Sequence, residues 1–184
     1  MTEQRNGKFI QVYSGGRFWP LDPRPEEITL DDIAHALSHQ CRFSGHTEFH
    51  YSVAQHSVLV SDYCDEPLAG LMHDASEAYL VDIPRPIKPA IPQYLEIEAK
   101  IMAIIGKKFG FLVPISDNVI AVDNAMLWLE KNQVMKPGLN WYQDKGSNIP
   151  EAMKNLKLLE WSPRYAKDAF IYRFHQLYDS HRGL

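Results

Sequence analysis

"PLAGLMHDASEAYLVD", residues 67–82, combines the apolar pattern of a core helix with polar residues at its centre. Pro67 suits the first turn of a helix, and the apolar run predicts that the segment packs into a core. His73, Asp74 and Glu77 stand where such a helix normally carries apolar side chains. Because burying a carboxylate is costly unless it is paired or binds a cation, the segment predicts a helix that serves a buried polar site.

Five further segments show helical periodicity with an apolar face. They are residues 29–40, 52–64, 94–110, 116–135 and 162–181. The side chains in capping positions are Thr29, Asp32, Ser52, Gln55 and Ser116. Residues 8–28, with two adjacent glycines and several prolines, favour a short strand or hairpin. The sequence therefore predicts an all-α fold: a single compact helical bundle, residues 1–184, with a short N-terminal strand or hairpin.

The composition is that of one globular domain with a sizeable core, since 45% of the 184 residues are hydrophobic and 23% are charged. A formal net charge of −4 without a basic cluster argues against a nucleic-acid polymer or an anionic membrane as the main partner. The N-terminus lacks a signal-peptide pattern, and no apolar stretch approaches the roughly 20 residues that span a bilayer. We therefore expect a cytoplasmic protein, in the host cytoplasm if a phage encodes it.

Four residues with apolar neighbours are candidate metal ligands: His56, His73, Asp74 and Asp123. Adjacent side chains on a helix lie about 100° apart, so His73 and Asp74 can converge on one ion. A histidine and an aspartate from other helices would complete four ligands and leave positions for water and substrate. This mixed set suits a divalent Zn, Mn, Co, Fe or Mg ion. Taken singly, each residue could instead be a hydrogen-bonded core histidine or an ion-paired aspartate.

Other residues with metal-binding side chains lack such a context. His35 and His39 have a metal-capable i, i+4 spacing, but no acidic motif accompanies them, and we interpret the pair as structural. Cys41 and Cys64 have neither zinc-site nor disulfide-framework spacing. We expect both cysteines to be small buried hydrophobic residues.

Three motifs in chain order, "AQHSVLVS", "LMHDASEAYLVDIPRPIK" and "AVDNAM", resemble the HD-domain metal-dependent phosphohydrolases. The central "HDASE" followed by "DIPRPIK" is similar to bacterial 5′-deoxynucleotidases, and the compact length resembles the phage dATP triphosphohydrolases. The resemblance covers about residues 30–135. It implies the HD-domain helical fold, with the four candidate ligands holding the ion.

The resemblance also implies roles for two further acids. Glu77 lies one helical turn after His73, where it would orient or deprotonate the attacking water. Asp82 would be a second acid near that water or the sugar, although it could equally be a helix-end residue. These two acids are the candidate catalytic residues.

Candidate substrate-binding residues flank this centre on both sides. Arg42 and Lys88 would contact phosphate, and Phe43, where the nucleotidases carry tryptophan, would stack on the base or belong to the core. Arg85 and Pro86 lie on the proline-stiffened "PRPIKP" loop, which would face the nucleotide. His46 and Tyr51 are candidates for leaving-group protonation or ribose contact.

The resemblance implies hydrolysis of a deoxynucleoside 5′-triphosphate, dATP first, to deoxynucleoside and triphosphate. Three cations, Arg42, Arg85 and Lys88, are more than one phosphate needs, which favours this substrate. The alternatives are a 5′-deoxynucleotidase that releases phosphate from deoxynucleoside monophosphates, and a nucleotide-binding module without turnover. We expect a small-molecule nucleotide as the partner. We also expect a homo-oligomer, because the aromatic segment "RYAKDAFIYRFHQLY" could supply an interface.

Overall fold

The computed structural model describes residues 4–139, 141 and 149–182. Its helices there are α1 (Leu30–His39), α2 (Val53–Tyr63), α3 (Pro67–Met72), α4 (Glu77–Leu80), α5 (Pro92–Phe109), α6 (Asp117–Gln133) and α7 (Pro163–Arg182). Short 3₁₀ helices lie at Pro25–Glu27, Arg42–Gly45, Lys88–Ala90 and Glu151–Met153. Strands β1 (Ile10–Gln11) and β2 (Arg17–Phe18) pair antiparallel, with Ile10 opposite Phe18. The predicted all-α fold with an N-terminal hairpin is confirmed.

Helix α2 lies at the centre of the bundle and is buried without interruption from Val53 to Ser61. It packs against α1, α3, α6 and α7. Its apolar side chains contribute to two clusters: Val58 joins the cluster that includes α1, α5 and α7, and Val60 joins the cluster around α6. His56, in the first turn of this helix, has no exposed surface.

The prediction of one continuous helix over residues 67–82 is wrong at its centre. Helix α3 ends at Met72, and α4 begins at Glu77. Between them the Ala75 amide donates to the Met72 carbonyl, and the Glu77 amide donates to the Asp74 carbonyl. These i to i−3 hydrogen bonds form a tighter turn than an α-helix does. This turn carries the His-Asp pair.

The three predicted N-cap residues all occupy N-cap positions. Thr29 Oγ1 accepts a hydrogen bond from the Asp32 amide at 3.1 Å, and Ser52 Oγ accepts one from the Gln55 amide at 3.1 Å. Ser116 is the N-cap residue of α6 as predicted, but its buried hydroxyl makes no capping hydrogen bond with the described residues.

Cys64 is buried as predicted. The same prediction is wrong for Cys41, which is partly exposed. Cys41 pairs with Ser52 in an isolated antiparallel bridge that joins the two ends of the α1–α2 connection. Among the helices of the described residues, none is both long and apolar enough to cross a bilayer.

Two turns next to predicted site residues have backbone conformations that are rarely adopted. The turn after Arg42 has positive φ at Phe43, Ser44 and Gly45 (55°, 53° and 80°), a conformation that non-glycine residues rarely adopt. Val81, at the end of α4, has φ 78° and ψ 150°, a region that is nearly restricted to glycine. Such strain persists only where the surroundings determine the conformation, and both turns adjoin predicted site residues.

Candidate metal centre

Three predicted ligands from different parts of the fold converge at one point. His56 comes from α2, His73 from the turn after α3 and Asp123 from α6, and their ligand atoms lie within 4.8 Å of one another. His56 Nε2 is 3.1 Å from Asp123 Oδ1 and 3.3 Å from His73 Nε2. Two imidazole nitrogens that face each other beside a carboxylate oxygen form a mixed donor set of the kind that divalent metals bind.

Asp74, the fourth predicted ligand, borders the same space. Its Oδ2 lies 3.2 Å from His73 Nε2 and 3.7 Å from His56 Nε2. The Arg42 guanidinium is 3.7 Å away from the same oxygen. The four side chains therefore lie together as the sequence predicts, and their binding of a metal stays a prediction.

The histidines and acids of this group shift one another's pKa. Burial would lower the pKa of His73, but Asp74, Asp123 and the hydrogen bond to Gly70 together outweigh burial and raise it to about 9. Burial would raise the pKa of Asp123, but the hydrogen bond and positive charge of His56 hold it well below its ordinary value. The acids thus favour positive charge at this point. A divalent ion could supply that charge, because histidine and carboxylate ligands bind metals in their deprotonated forms.

Hydrogen bonds on the far side of each ring orient the two histidines. His73 Nδ1 donates to the Gly70 carbonyl at 2.7 Å. His56 Nδ1 donates to Glu130 Oε1 at 2.5 Å. In metal sites the ligating histidine usually donates its second ring N–H to a carbonyl or carboxylate in this way. Both rings therefore present Nε2 to the shared space.

Glu130 was not among the sequence-predicted site residues. It is fully buried on α6, and besides His56 it binds Arg42, whose Nε lies 3.1 Å from Oε2. A weak signal was present, because Glu130 follows Asp123 by seven residues and therefore lies on the same helix face. A glutamate among the apolar residues of that face requires a partner.

Glu77 lies at the start of α4 and is 5% exposed. Burial raises its pKa well above the ordinary value, and the negative charges of Asp74 and Asp82 raise it further. Its Oε1 is 3.9 Å from Lys88 Nζ, while Oε2 has no hydrogen-bond partner in the described part of the chain. A buried carboxyl group with a raised pKa binds a proton more strongly than an ordinary carboxyl group, which suits a proton acceptor.

Asp82 follows the strained Val81 and is partly buried. Burial raises its pKa, against the positive charge of Arg42. Gln40 connects it to Glu77, because the Gln40 side chain accepts from the Asp82 amide at 3.1 Å and donates to the Glu77 carbonyl at 3.0 Å. The sequence analysis missed Gln40, whose role depends on residues about 40 positions away.

All three predicted cations lie near the centre, and each is paired with an acid. Arg42 is buried and binds Glu130. Lys88 Nζ lies 2.7 Å from Glu98 Oε1. Half-exposed Arg85 binds Asp123 Oδ2 at 2.5 Å, and its other nitrogen donates to Asn124 at 2.7 Å.

The remaining predicted substrate contacts divide between surface and interior. His46 and Pro86 are exposed, and Tyr51 is completely buried. Burial raises the pKa of Tyr51 well above its ordinary value, and the nearby Glu130 carboxylate raises it further. Tyr51 therefore lies in the interior beside Glu130 and not at the surface. The roles of His46 and Pro86 in substrate binding stay predictions.

An aromatic cluster, formed by Phe43, Trp128 and Trp141, adjoins Arg42. The Trp141 ring centroid is 6.0 Å from that of Phe43 and 6.0 Å from that of Trp128. Lys131 Nζ lies 5.0 Å from the Trp128 ring, and the Arg42 guanidinium lies 5.5 Å from the Phe43 ring. The two tryptophans were not predicted, because only the folded chain brings them to Phe43.

Comparison with known proteins identifies two relatives along almost the whole chain. No protein-family model matches the sequence. The uncharacterized protein YfdR of Escherichia coli (strain K12) is 38% identical over 172 residues, covering 92% of this chain and 95% of the relative. The uncharacterized protein RCAP_rcc00048 of Rhodobacter capsulatus is 32% identical over 192 residues, covering 94% of this chain and 97% of the relative. The chain therefore belongs to the protein family that includes YfdR and RCAP_rcc00048.

Proposed function

We propose that the protein is a metal-dependent phosphohydrolase that cleaves the bond between phosphorus and the 5′-oxygen of a deoxynucleoside 5′-phosphate. One observation carries this proposal: His56, His73 and Asp123 converge, with Asp74 beside them, in a chain that also buries Glu77 with a free oxygen. The resemblance to HD-domain phosphohydrolases supports the same chemistry. His56, His73, Asp74 and Asp123 would hold the ion.

When bound, a divalent ion would lower the pKa of water and polarise a phosphoryl oxygen. Glu77 would accept the proton of the attacking water, because burial and its acidic neighbours raise its pKa and so increase its affinity for a proton. The water oxygen forms a bond to phosphorus as the bond to the 5′-oxygen breaks, and the 5′-oxygen then takes a proton to give the nucleoside. Asp82 is the second carboxyl group available beside Glu77.

Arg42, Arg85 and Lys88 would offset negative charge on the phosphate as the bond breaks. The aromatic cluster supports a nucleotide over other phosphate esters, since flat aromatic faces stack on bases. Arg42 joins the two features: its guanidinium lies 3.7 Å from Asp74 and 5.5 Å from the Phe43 ring. A nucleotide with its phosphate near Arg42 could therefore place its base on the cluster.

Two phosphate chain lengths fit this chemistry. The resemblance to the phage enzymes favours dATP, cleaved to deoxyadenosine and triphosphate. The ion pairs favour the second candidate, a 5′-deoxynucleotidase, because Arg42, Arg85 and Lys88 are each already paired with a carboxylate. A triphosphate would have to compete with those acids for the same cations.

A substrate panel tests the proposal. The full chain is incubated with dATP or dAMP and with Zn, Mn, Co, Fe or Mg ions, and nucleoside, phosphate, pyrophosphate and triphosphate are quantified. We expect deoxyadenosine together with an intact triphosphate or a single phosphate. Release of pyrophosphate with dAMP would refute cleavage at the 5′-oxygen. Nucleotide binding without any product would favour the module without turnover.

A further inference from the structure

Glu130 occupies an interior position where one carboxylate serves two different partners. The side chain is fully buried on α6. Oε1 lies 2.5 Å from His56 Nδ1, whereas Oε2 lies 3.1 Å from Arg42 Nε and 3.0 Å from Arg42 Nη2. Since both oxygens are engaged on the side of His56 away from the ligand cluster, Glu130 is not itself placed to bind the ion.

The first contact determines how His56 faces the centre. An ionised carboxylate only accepts hydrogen bonds, so the hydrogen of a neutral His56 ring must reside on Nδ1. The lone pair is then on Nε2, which points toward Asp123 Oδ1 at 3.1 Å and His73 Nε2 at 3.3 Å. His56 has no exposed surface, so its ring is not open to bulk solvent.

The second contact links this histidine to the cation at the edge of the site. Arg42 is 8% exposed and needs a negative partner. Glu130 is that partner, because its Oε2 contacts both Nε and Nη2 of Arg42. The Asp74 carboxylate is more distant, with Oδ2 3.7 Å from Arg42 Nη1. Loss of the contact to Arg42 would therefore leave its buried charge without its nearest partner, and loss of the contact to His56 would leave its ring without the hydrogen bond that orients it.

We propose that Glu130 is a positioning residue that couples Arg42 to metal binding by fixing the ring of His56. The inference rests on the metal site of the proposed function. Glu130 keeps the hydrogen on Nδ1 and presents Nε2 to the ion, and Arg42 keeps the carboxylate in place. Outer hydrogen-bond partners of this kind typically change metal affinity by about 10–100-fold when they are mutated.

Glu130→Gln tests this coupling with little change in side-chain volume. His56 and Arg42 lie at different oxygens of Glu130, and in glutamine one of these positions becomes an NH₂ donor, so the side chain no longer offers an acceptor at both. We expect Mn²⁺ or Zn²⁺ titrated into the full-length variant by calorimetry to bind roughly 10–100-fold more weakly than to the wild type. An unchanged dissociation constant in a folded variant would overturn the proposal.

Glu27→Gln is the matched control. Glu27 is also a poorly exposed glutamate paired with an arginine, with Oε1 2.6 Å from Arg5 Nη1 and 11% of its side chain exposed, but its partner is in the N-terminal lead-in. We expect this variant to lose some thermal stability and to keep the wild-type metal affinity. Equal weakening of metal binding in both variants would assign the effect to general destabilisation and overturn the proposal.

Two further measurements keep the test decisive if Glu130→Gln does not fold. In Glu130→Leu/Arg42→Leu both buried charges and the acceptor for His56 Nδ1 are removed together, and we expect metal to bind roughly 10–100-fold more weakly than to the wild type; wild-type affinity would contradict the coupling. In the wild type, nitrogen NMR of the metal-loaded protein should find His56 protonated at Nδ1, and a hydrogen-free Nδ1 would refute the proposal without any variant. If the wild type binds no metal at all, the metal site of the proposed function fails instead.

Discussion

The structure contains two close histidine pairs whose surroundings differ. His35 and His39 both lie on α1, and their rings stack with centroids 4.1 Å apart. His56 and His73 come from separate elements, and their Nε2 atoms face each other at 3.3 Å. In the first pair the rings meet face to face, and His39 Nδ1 is bonded to the carbonyl of His35. In the second the ring edges meet, so both nitrogens point into one space.

The surroundings of the two pairs also shift the pKa of their histidines in opposite directions. Burial and the positive charge of His39 lower the pKa of His35. Burial would lower the pKa of His73 too, but Asp74 raises it to about 9. The two pairs therefore differ in more than the distance between their imidazoles. In the second pair alone, among the described residues, ring edges and carboxylates that favour positive charge meet at one point, which makes it the candidate metal site.

Removing a ligand of the second pair should have the largest effect. His73→Ala or Asp74→Asn should abolish both metal content and hydrolysis, because each deletes one of four convergent donors. Elemental analysis of purified protein and product release from the preferred substrate measure the two losses. The control is His39→Ala on α1, which should keep both. Full metal occupancy in His73→Ala or Asp74→Asn would refute the ligand assignment.

If Glu77 acts on the attacking water and is not a metal ligand, its removal should lower turnover without lowering metal binding. Glu77→Ala should retain the metal and nucleotide binding but lose turnover by roughly 10²–10⁴-fold, the range for general acid–base groups. Metal analysis, nucleotide titration and kcat on one preparation provide the comparison. Near-normal kcat in Glu77→Ala would transfer the role to Asp82, and loss of metal would make Glu77 a ligand.

Metal addition should distinguish the two histidine pairs by stability alone. An ion that binds only the folded state at 100 times its Kd stabilises it by about 2.7 kcal/mol. For a chain of this size that corresponds to a rise in Tm of roughly 5–10 °C. We expect this rise, reversed by a chelator, in the wild type and in His39→Ala but not in His73→Ala. A rise of the same size in His73→Ala would show that metal binds elsewhere.

The sequence predicts those residues of the candidate metal centre that stand out from their immediate neighbours in the chain. The His-Asp pair stands out because "LMHDASE" interrupts an apolar run, and Asp123 lies in "AVDNAM" on a helix with its own periodicity. The all-α fold follows from the same periodicity. These signals need only a few neighbouring residues to be recognised.

Other parts depend on contacts between distant residues. Glu130 binds partners 74 and 88 positions away, and no local motif names them. Residues 73–76 form a turn, but the apolar residues on both sides of them keep the spacing of one helix, so periodicity alone predicts a continuous helix. Gln40 and the aromatic cluster are likewise assembled only by packing. Contacts between residues distant in sequence thus account for what the sequence analysis missed around the four candidate ligands.

The smallest effect concerns Arg85, the exposed cation attached to the second pair through Asp123. Its side chain is 52% exposed and binds both Asp123 and Asn124, so it lies at the solvent side of the centre. A longer phosphate chain would extend toward that side, and a hydrogen bond to a charged group contributes about 1.5–3 kcal/mol. If dATP is the substrate, Arg85→Ala should lower kcat/KM for dATP by roughly 10–100-fold and for dAMP by less, while the exposed Arg164→Ala on α7 should change neither. Steady-state kinetics with both nucleotides measure the difference. A higher kcat/KM for dAMP, with equal losses for both substrates in Arg85→Ala, would reject the triphosphohydrolase and favour the 5′-deoxynucleotidase, because the paired cations of the centre would then serve a single phosphate.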